Sequence, residues 1–483
     1  MLLEMAADAY DDRVAIGARG RDDAISYAEL RRLAMAVATE LAAKSASTLA
    51  VACANSTAIP VALFGAAWAG ISYAPLNYRL PEDALQRQLA RLDPVHLVDT
   101  DGWLAALQPD HGEPTRYPDD PDRPAVILFT SGTSGEPKAA LLHHDNVLAY
   151  ILNTIEFACA GDDDALLLAA PPFHIAGVAA VLSSVYAGRR IVPLAQFTPE
   201  SWLRAACDEG VTHAFVVPTM LARIVDTLER DASLQPGALT SLSYGGARIP
   251  APVLERALAL FPDVAFVNAY GLTETSSTIA VLGPDEHRAA QSGDAAALRR
   301  LGSAGRPVPG IDVEIIDDDD KPLPAGEPGR IRVRGAQVGG TYLDTAGGPD
   351  SDGWLTTGDV GYVDDDGYLY VEGRADDVII KGGENISPVE VEDALLRHPA
   401  IAAAAVVGVP DVDWGETIGA MVTVGEGQPV PSRAELLDFV RLQLGSLKTP
   451  STIEIRPELP ATDTGKILRR VVRAELANCE PTQ

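Results

Sequence analysis

Residues 129–138 read FTSGTSGEPK, four hydroxyls, two glycines and a lysine directly after the apolar run Ala125 to Phe129. Hydroxyls and bare backbone N–H groups in a tight loop suit a polyphosphate, because they reach several anionic oxygens without side-chain bulk. The spacing is not that of GxxxxGK[ST], which would need glycine at 137 and Ser or Thr at 139, where Pro137 and Ala139 stand. An ordinary flexible turn is the other reading of ten such residues. Lysine is scarce, six against thirty-two arginines, which singles out Lys138, Lys381 and Lys466 in their Gly-containing loops.

Working outward, helical stretches such as Tyr27 to Ala43 alternate with short strands, among them Ala125 to Phe129, His213 to Val217 and Ala265 to Val267. Such alternation predicts open α/β sheets with ligands at the carboxyl ends of the strands. Ala58 to Tyr73 is apolar but shorter than the roughly 20 residues of a membrane span and reads as a buried helix. Pro109 to Pro124 reads as a surface connection. From about Val313 strand pairs with turns take over, and the Asp317 to Asp320 run is a solvated hairpin loop. Beyond Gly373 a small α+β pattern begins, with helices at Pro388 to Arg397, Ala434 to Gln443 and Ile467 to Ala477, and about 110 residues suffice for a separate domain. The predicted division is 1–373 and 374–483.

With 483 residues, 47% apolar and 22% charged, the chain fits a multidomain globular protein. A formal charge of −30 argues against nucleic acid or anionic membrane as a partner. Cys53, Cys159, Cys207 and Cys479 form no CxxC pair, so neither a disulfide framework nor a zinc knuckle is indicated, and a cytoplasmic location without a secretory leader is expected.

Four further loops share the chemistry of the first. NAYGLTETSS offers Thr273 and Thr275 to phosphate and Glu274 to a hard cation. SYGGARIP puts Gly245 and Gly246 where a flat ring could lie on bare backbone. GWLTTGD ends in Asp359 and GRADDVIIKGG begins with Arg374, a carboxylate and a guanidinium suited to a ribose diol and its phosphate.

In this order, from about Tyr27 to Arg470, these segments resemble the core motifs of the adenylate-forming superfamily, which includes acyl-CoA synthetases, nonribosomal adenylation domains and beetle luciferases. FTSGTSGEPK resembles the phosphate loop, PPFHIAG the aromatic or histidine gate, and NAYGLTE the adenine and magnesium segment. GWLTTGD resembles the ribose motif, GRADDVIIKGGENISPVEVE the hinge and second catalytic loop, and LPATDTGKILRR the loop of the adenylation lysine. Ser134 and Ala139 depart from the commonest residues there, and both stay small.

The resemblance implies an α/β fold: a large N-terminal domain of two α/β sheets plus a distorted β-barrel, and a small mobile α+β C-terminal domain. It also implies ATP, Mg²⁺ and coenzyme A as co-substrates and cofactor. Thr130, Ser131, Gly132, Thr133 and Lys138 would take the β- and γ-phosphates, Thr273 the α-phosphate and Glu274 the metal. Gly245, Gly246, Ala247, Asn268 and Tyr270 would bracket adenine, with Asp359 and Arg374 at the ribose and Lys466 bridging carboxylate and α-phosphate.

For the thiol step the resemblance implies rotation about Asp376, with Lys381, Gly382 and Gly383 at the pantetheine arm and Trp414 and Lys448 at the nucleotide end of CoA. His174 would gate an acyl pocket walled by Val217, Met220, Tyr244 and Gly271. Arg248 is the only clear cation near these walls, so an apolar aliphatic or aromatic acid is expected. An enzyme loading a carrier-protein pantetheine thiol is the alternative, a non-catalytic nucleotide-binding regulator a distant third, and a homodimer is left open.

Overall fold

The helix Tyr27–Ala42 shows how the local sequence sets the core. Ser26 accepts the Glu29 N–H at its start, and Leu30, Leu33, Ala34, Val37, Ala38 and Leu41, at helical spacing, are buried on one side. Ala58–Trp68 is apolar all round and lies against it, so closely that a Cβ on Gly65 would stand 2.5 Å from Val37 Cγ1. The sequence predicts this buried helix to run to Tyr73; it ends at Trp68, and Tyr73 lies in the strand Ser72–Pro75. No helix among the described residues is long and apolar enough to cross a membrane.

The computed structural model describes residues 1–18, 20, 24–99, 102–107, 120, 122–130, 137–344, 347–425, 427–461 and 467–477. Most of the Pro109 to Pro124 connection lies outside them. A nine-stranded sheet runs in the order Arg306–Pro307, Ser277–Leu282, Ala265–Leu272, Ser241–Gly245, His213–Val216, Ala165–Leu168, Arg190–Pro193, Val14–Ile16 and Ile25–Ser26. Its six strands from Ala265–Leu272 to Val14–Ile16 are parallel. A six-stranded sheet follows the order Thr341–Tyr342, Lys138–His143, Pro124–Thr130, Ser72–Pro75, Thr48–Val51 and Val95–Val98.

The predicted barrel takes the form of an antiparallel four-stranded sheet, Ile311–Ile316, Gly329–Gly335, Leu355–Val363 and Leu369–Arg374. A bridge from Gly305 to Leu369 joins it to the nine-stranded sheet. The aspartate run forms the turn after its first strand, where Asp317 accepts the N–H groups of Asp319 and Lys321.

From Ile379 onward the chain builds its own sheet, Glu384–Ile386, Ile379–Lys381, Gly415–Val424 and Ile401–Asp411, with Thr452–Arg456 beside Gly415–Val424. Helices Pro388–Leu396 and Arg433–Leu444 cover one face and Arg469–Leu476 the other. The last helix starts two residues later than predicted.

Candidate active site

The strand Ala265–Leu272 delivers the first site residues. It ends in the single turn Thr273–Thr275 and reverses so sharply that Ser276 and Ser277, neither a glycine, take φ of 54° and 117°. Such conformations are strained and persist only where surrounding contacts fix them. The Thr275 hydroxyl supplies one: it accepts the Leu272 N–H at 3.0 Å and reaches the Ser277 carbonyl at 2.8 Å. Thr275 is fully buried, which corrects its reading as a phosphate ligand, since its oxygen is committed to the turn. Thr273 and Glu274 remain half-buried at the surface of the turn. Gly271 has no room for a side chain, because a Cβ would stand 1.9 Å from the Ser277 carbonyl.

Glu274 Oε1 accepts the Tyr342 hydroxyl at 2.6 Å. Burial, then the Glu274 carboxylate, holds that phenol well above its ordinary pKa, so it stays a donor. Lys138 Nζ stands 5.2 Å from the centre of the same ring. Tyr342 thus joins the base of the Thr130–Lys138 hairpin to the acidic turn. Thr130 and Lys138 face each other at that base; Ser131, Gly132 and Thr133 lie outside the described residues. Arg91 braces the hairpin through the Pro137 carbonyl, 2.7 Å, and Asp344, 2.6 Å.

Asp359, 6% exposed, is the most enclosed acid of the site. It accepts the Tyr270 hydroxyl at 2.5 Å and Arg374 Nη1 at 3.0 Å, while Arg374 also donates to the Thr357 carbonyl at 3.1 Å. Burial first, and Asp359 second, keep Tyr270 protonated. A buried carboxylate needs such partners, and its four lone-pair positions leave capacity for a ligand's hydroxyls. Tyr270, 89 residues before Asp359, therefore meets the paired strands that carry Asp359 and Arg374.

Among the described residues no group of three or more His, Cys, Asp or Glu side chains is set to hold a metal. Glu274 alone nevertheless fits Mg²⁺, which commonly takes one or two protein carboxylates and completes its shell with phosphate oxygens and water.

Alternation along the parallel strands separates two faces. Ala214, Val216, Leu242 and Tyr244 are buried in the core with helices Pro218–Arg230 and Ala251–Leu260. Their alternates Phe215, Ser243 and Val267 are only half-buried. Central parallel strands are ordinarily covered on both faces, so this half-buried row marks an opening. Tyr244, expected in the pocket wall, is corrected by its parity: it is fully buried and its hydroxyl lies 3.0 Å from His287 Nε2, while His287 Nδ1 lies 2.6 Å from the Gly283 carbonyl.

Phe215 was not singled out from sequence. Its Cε2 lies 3.5 Å from where a Gly245 Cβ would stand, and Val217 Cγ1 3.6 Å from that of Gly246. The alternation in HAFVV was the available signal. Met220 packs against the helix-side core. Asn268 donates to the Ser303 carbonyl at 3.0 Å, and Ala247 follows Gly246 in the same loop. His174 precedes helix Ile175–Ala187, its ring 5.1 Å from that of Phe173. Arg248 does not face the opening unpaired: its Nη2 is 2.6 Å from Asp393 Oδ2 of the C-terminal unit.

In that unit Asp376 lies exposed in the turn Ala375–Asp377. Gly382 and Gly383 are exposed as well, and Asp393 of helix Pro388–Leu396 meets Arg248 of the large domain. Trp414 is half-exposed, Lys448 is paired with Glu390 and Lys381 is buried. Lys466 lies outside the described residues.

Residues 3–343 match the AMP-binding enzyme family and residues 390–466 its C-terminal domain family. The chain is 35% identical to a feruloyl-CoA synthase of an Amycolatopsis species over 95% of each protein. It is 34% identical to a fatty acid–[acyl-carrier-protein] ligase of Streptomyces coeruleorubidus, over 85% of this chain and 83% of that one. Among solved structures, o-succinylbenzoate CoA synthetase from Bacillus subtilis in complex with its acyl-adenylate superimposes with a TM-score of 0.84 at 28% identity, over 100% and 99% of the two chains. The chain belongs to the AMP-binding enzyme family, within the adenylate-forming superfamily and of acyl-CoA synthetase type.

Proposed function

We propose that this protein is an AMP-forming ligase that joins an apolar aliphatic or aromatic carboxylic acid to coenzyme A. A carboxylate is a poor acyl electrophile, because attack adds charge to an anion and would have to expel oxide. In the first half-reaction a carboxylate oxygen attacks the α-phosphorus of ATP, the new P–O bond forms and the bond to pyrophosphate breaks. In the second, the thiol sulfur attacks the acyl carbon, the C–S bond forms, AMP leaves and the thiol proton passes to solvent. The protein's part is mainly positioning and charge neutralisation.

Thr130, Ser131, Gly132, Thr133 and Lys138 hold the outer phosphates in this reading, and Thr273 the inner one. Tyr270 and Asn268 flank the base with the Gly245–Gly246–Ala247 backbone, Asp359 takes the ribose hydroxyls, and Lys466 bridges the reacting carboxylate and phosphate. Glu274 would hold Mg²⁺, whose charge would offset that of the departing pyrophosphate. The observation that carries the reading is the Tyr270–Asp359–Arg374 cluster beside Glu274, an enclosed carboxylate with spare acceptor capacity next to a hard-cation ligand.

The acid is apolar because the half-buried row offers Phe215, Val267 and small hydroxyls, while the neighbouring cation Arg248 is paired with Asp393. The relative that acylates a carrier protein supports a second acceptor. Protein, ATP and a panel of acids are incubated with CoA or with a pantetheinylated carrier, and pyrophosphate, AMP and thioester are measured. Thioester on CoA with an apolar acid is expected. AMP with the carrier alone overturns the acceptor, and no pyrophosphate with any acid overturns the reaction.

A further inference from the structure

Lys381 immediately precedes the glycine pair of the second loop, and its side chain turns inward. It is 8% exposed; its ammonium donates to the Leu447 carbonyl at 2.9 Å and stands 6.0 Å from the centre of the Trp414 ring. The Asp411 carboxylate attracts it, but burial outweighs that attraction and pulls its pKa below the ordinary lysine value.

The surroundings of Lys381 are themselves fastened. Lys448, next to Leu447, meets both Glu390 oxygens at 2.7 and 2.6 Å, which ties that turn to helix Pro388–Leu396. Asp411 Oδ1 accepts the Trp414 N–H at 2.9 Å, and the Trp414 carbonyl accepts the Gly382 N–H at 3.0 Å. The indole lies so close over Gly382, φ +61°, that a Cβ there would stand 2.6 Å from its Cε3.

Enclosing an ammonium against one carbonyl is unfavourable compared with an apolar side chain of similar length. What the ammonium does that methionine could not is fix the strand Ile379–Lys381 to a turn already pinned on its other side. Two bare glycines follow, with no side chains of their own to hold them. Their placement falls to the residue before them and the indole above.

We propose that Lys381 is a positioning residue for thioester formation: its ammonium pegs the strand to the Leu447 carbonyl, setting where Gly382 and Gly383 are presented, and it touches neither nucleotide nor thiol. The inference rests on the thioester-forming reading above. It departs from the sequence expectation that Lys381 contacts CoA.

The test compares wild type, Lys381→Met and Lys381→Arg in ATP–pyrophosphate exchange and in single-turnover conversion of preformed acyl-AMP by saturating thiol. Methionine keeps the stem and loses the donor. Exchange should stay within about twofold of wild type while acyl transfer slows by about 10²-fold, the scale of a misplacement near 1 Å, with KM for the thiol changed less than about threefold. Arginine, which keeps charge and donor, should recover part of the rate.

A raised KM with an unchanged transfer rate would assign Lys381 to the thiol substrate and overturn the proposal, as would a fall of both half-reactions together or of neither. The comparison uses CoA and a pantetheinylated carrier in parallel. Wild type active with the carrier alone removes the CoA reading and leaves the peg under test; wild type that exchanges pyrophosphate yet acylates neither thiol overturns both.

Discussion

At the scale of single residues the site shows why residue type and placement are different kinds of information. Thr273 and Thr275 are the same amino acid two positions apart, and only the fold separates the half-buried one from the one whose hydroxyl closes the turn. Tyr244 and Ser243 are adjacent, and strand parity sends the tyrosine into the core. Glu274, Asp359 and Arg374 could be named from the sequence because their loops resemble the family's motifs, and the fold sets Arg374 against Asp359. Tyr342 could not be, because an aromatic residue in a strand carries no sign of what lies across from it, whereas the alternation around Phe215 went unused.

Gly383 gives a test at this scale. Its φ of +89° disfavours any side chain, although nothing lies within 4 Å of where a Cβ would be. Gly383→Leu should preserve pyrophosphate exchange and lose thioester formation by about 10²-fold or more, while Gly383→Ala, sharing the strain without the bulk, should lose about tenfold. Loss of both half-reactions in the leucine variant would show that the glycine serves the fold instead of the thiol's path.

At the scale of elements, helices with caps and an apolar stripe were readable to within a few residues: Tyr27–Ala42 and Arg433–Leu444 both begin at a serine cap. Two-residue pieces such as Thr341–Tyr342 were not, since a strand that short has no periodicity to read. The strand His213–Val216 carries a prediction of its own. Burial, then the nearby Arg189 charge, pulls the His213 pKa down to about 4, with its Nδ1 2.8 Å from Thr212 Oγ1.

Folding therefore favours neutral His213. Its contribution is complete above the unfolded value near 6.5 and declines as pH falls toward 4, because the unfolded chain takes up a proton that the folded one refuses. Urea unfolding at pH 7 and pH 4.5 should show His213→Gln losing less stability on acidification than wild type, by on the order of 2–3 kcal/mol. Equal losses in the two proteins would remove the histidine from the account.

At the scale of the whole molecule, the sequence carried the order of the loops and thereby the family, but not how the C-terminal unit meets the rest. That relation rests on contacts between residues far apart in the chain. Arg248 reaches Asp393, and Ser387 Oγ donates to the Glu372 carbonyl at 2.8 Å. Arg248 had read as a pocket cation because sequence gives its neighbours and not its partner.

Breaking that pair with Arg248→Met should shift the ratio of exchange to thioester rates by about fivefold, the scale of a partly exposed ion pair near 1 kcal/mol. Arg248→Asp combined with Asp393→Arg should bring the ratio back toward wild type. A ratio unmoved by the single variant would make the pair incidental to domain position.

The two-residue strand Thr341–Tyr342 also has a meaning for the chain's solubility. It pairs with Lys138–His143, the outermost long strand of the six-stranded sheet. Without that cover, a row of amide and carbonyl groups beside Ala139, Ala140, Leu141 and Leu142 would stand ready to template another copy's backbone. Leu343→Pro, which removes the N–H that meets the Ala139 carbonyl at 3.0 Å, should therefore aggregate more readily than wild type, as light scattering on heating would show.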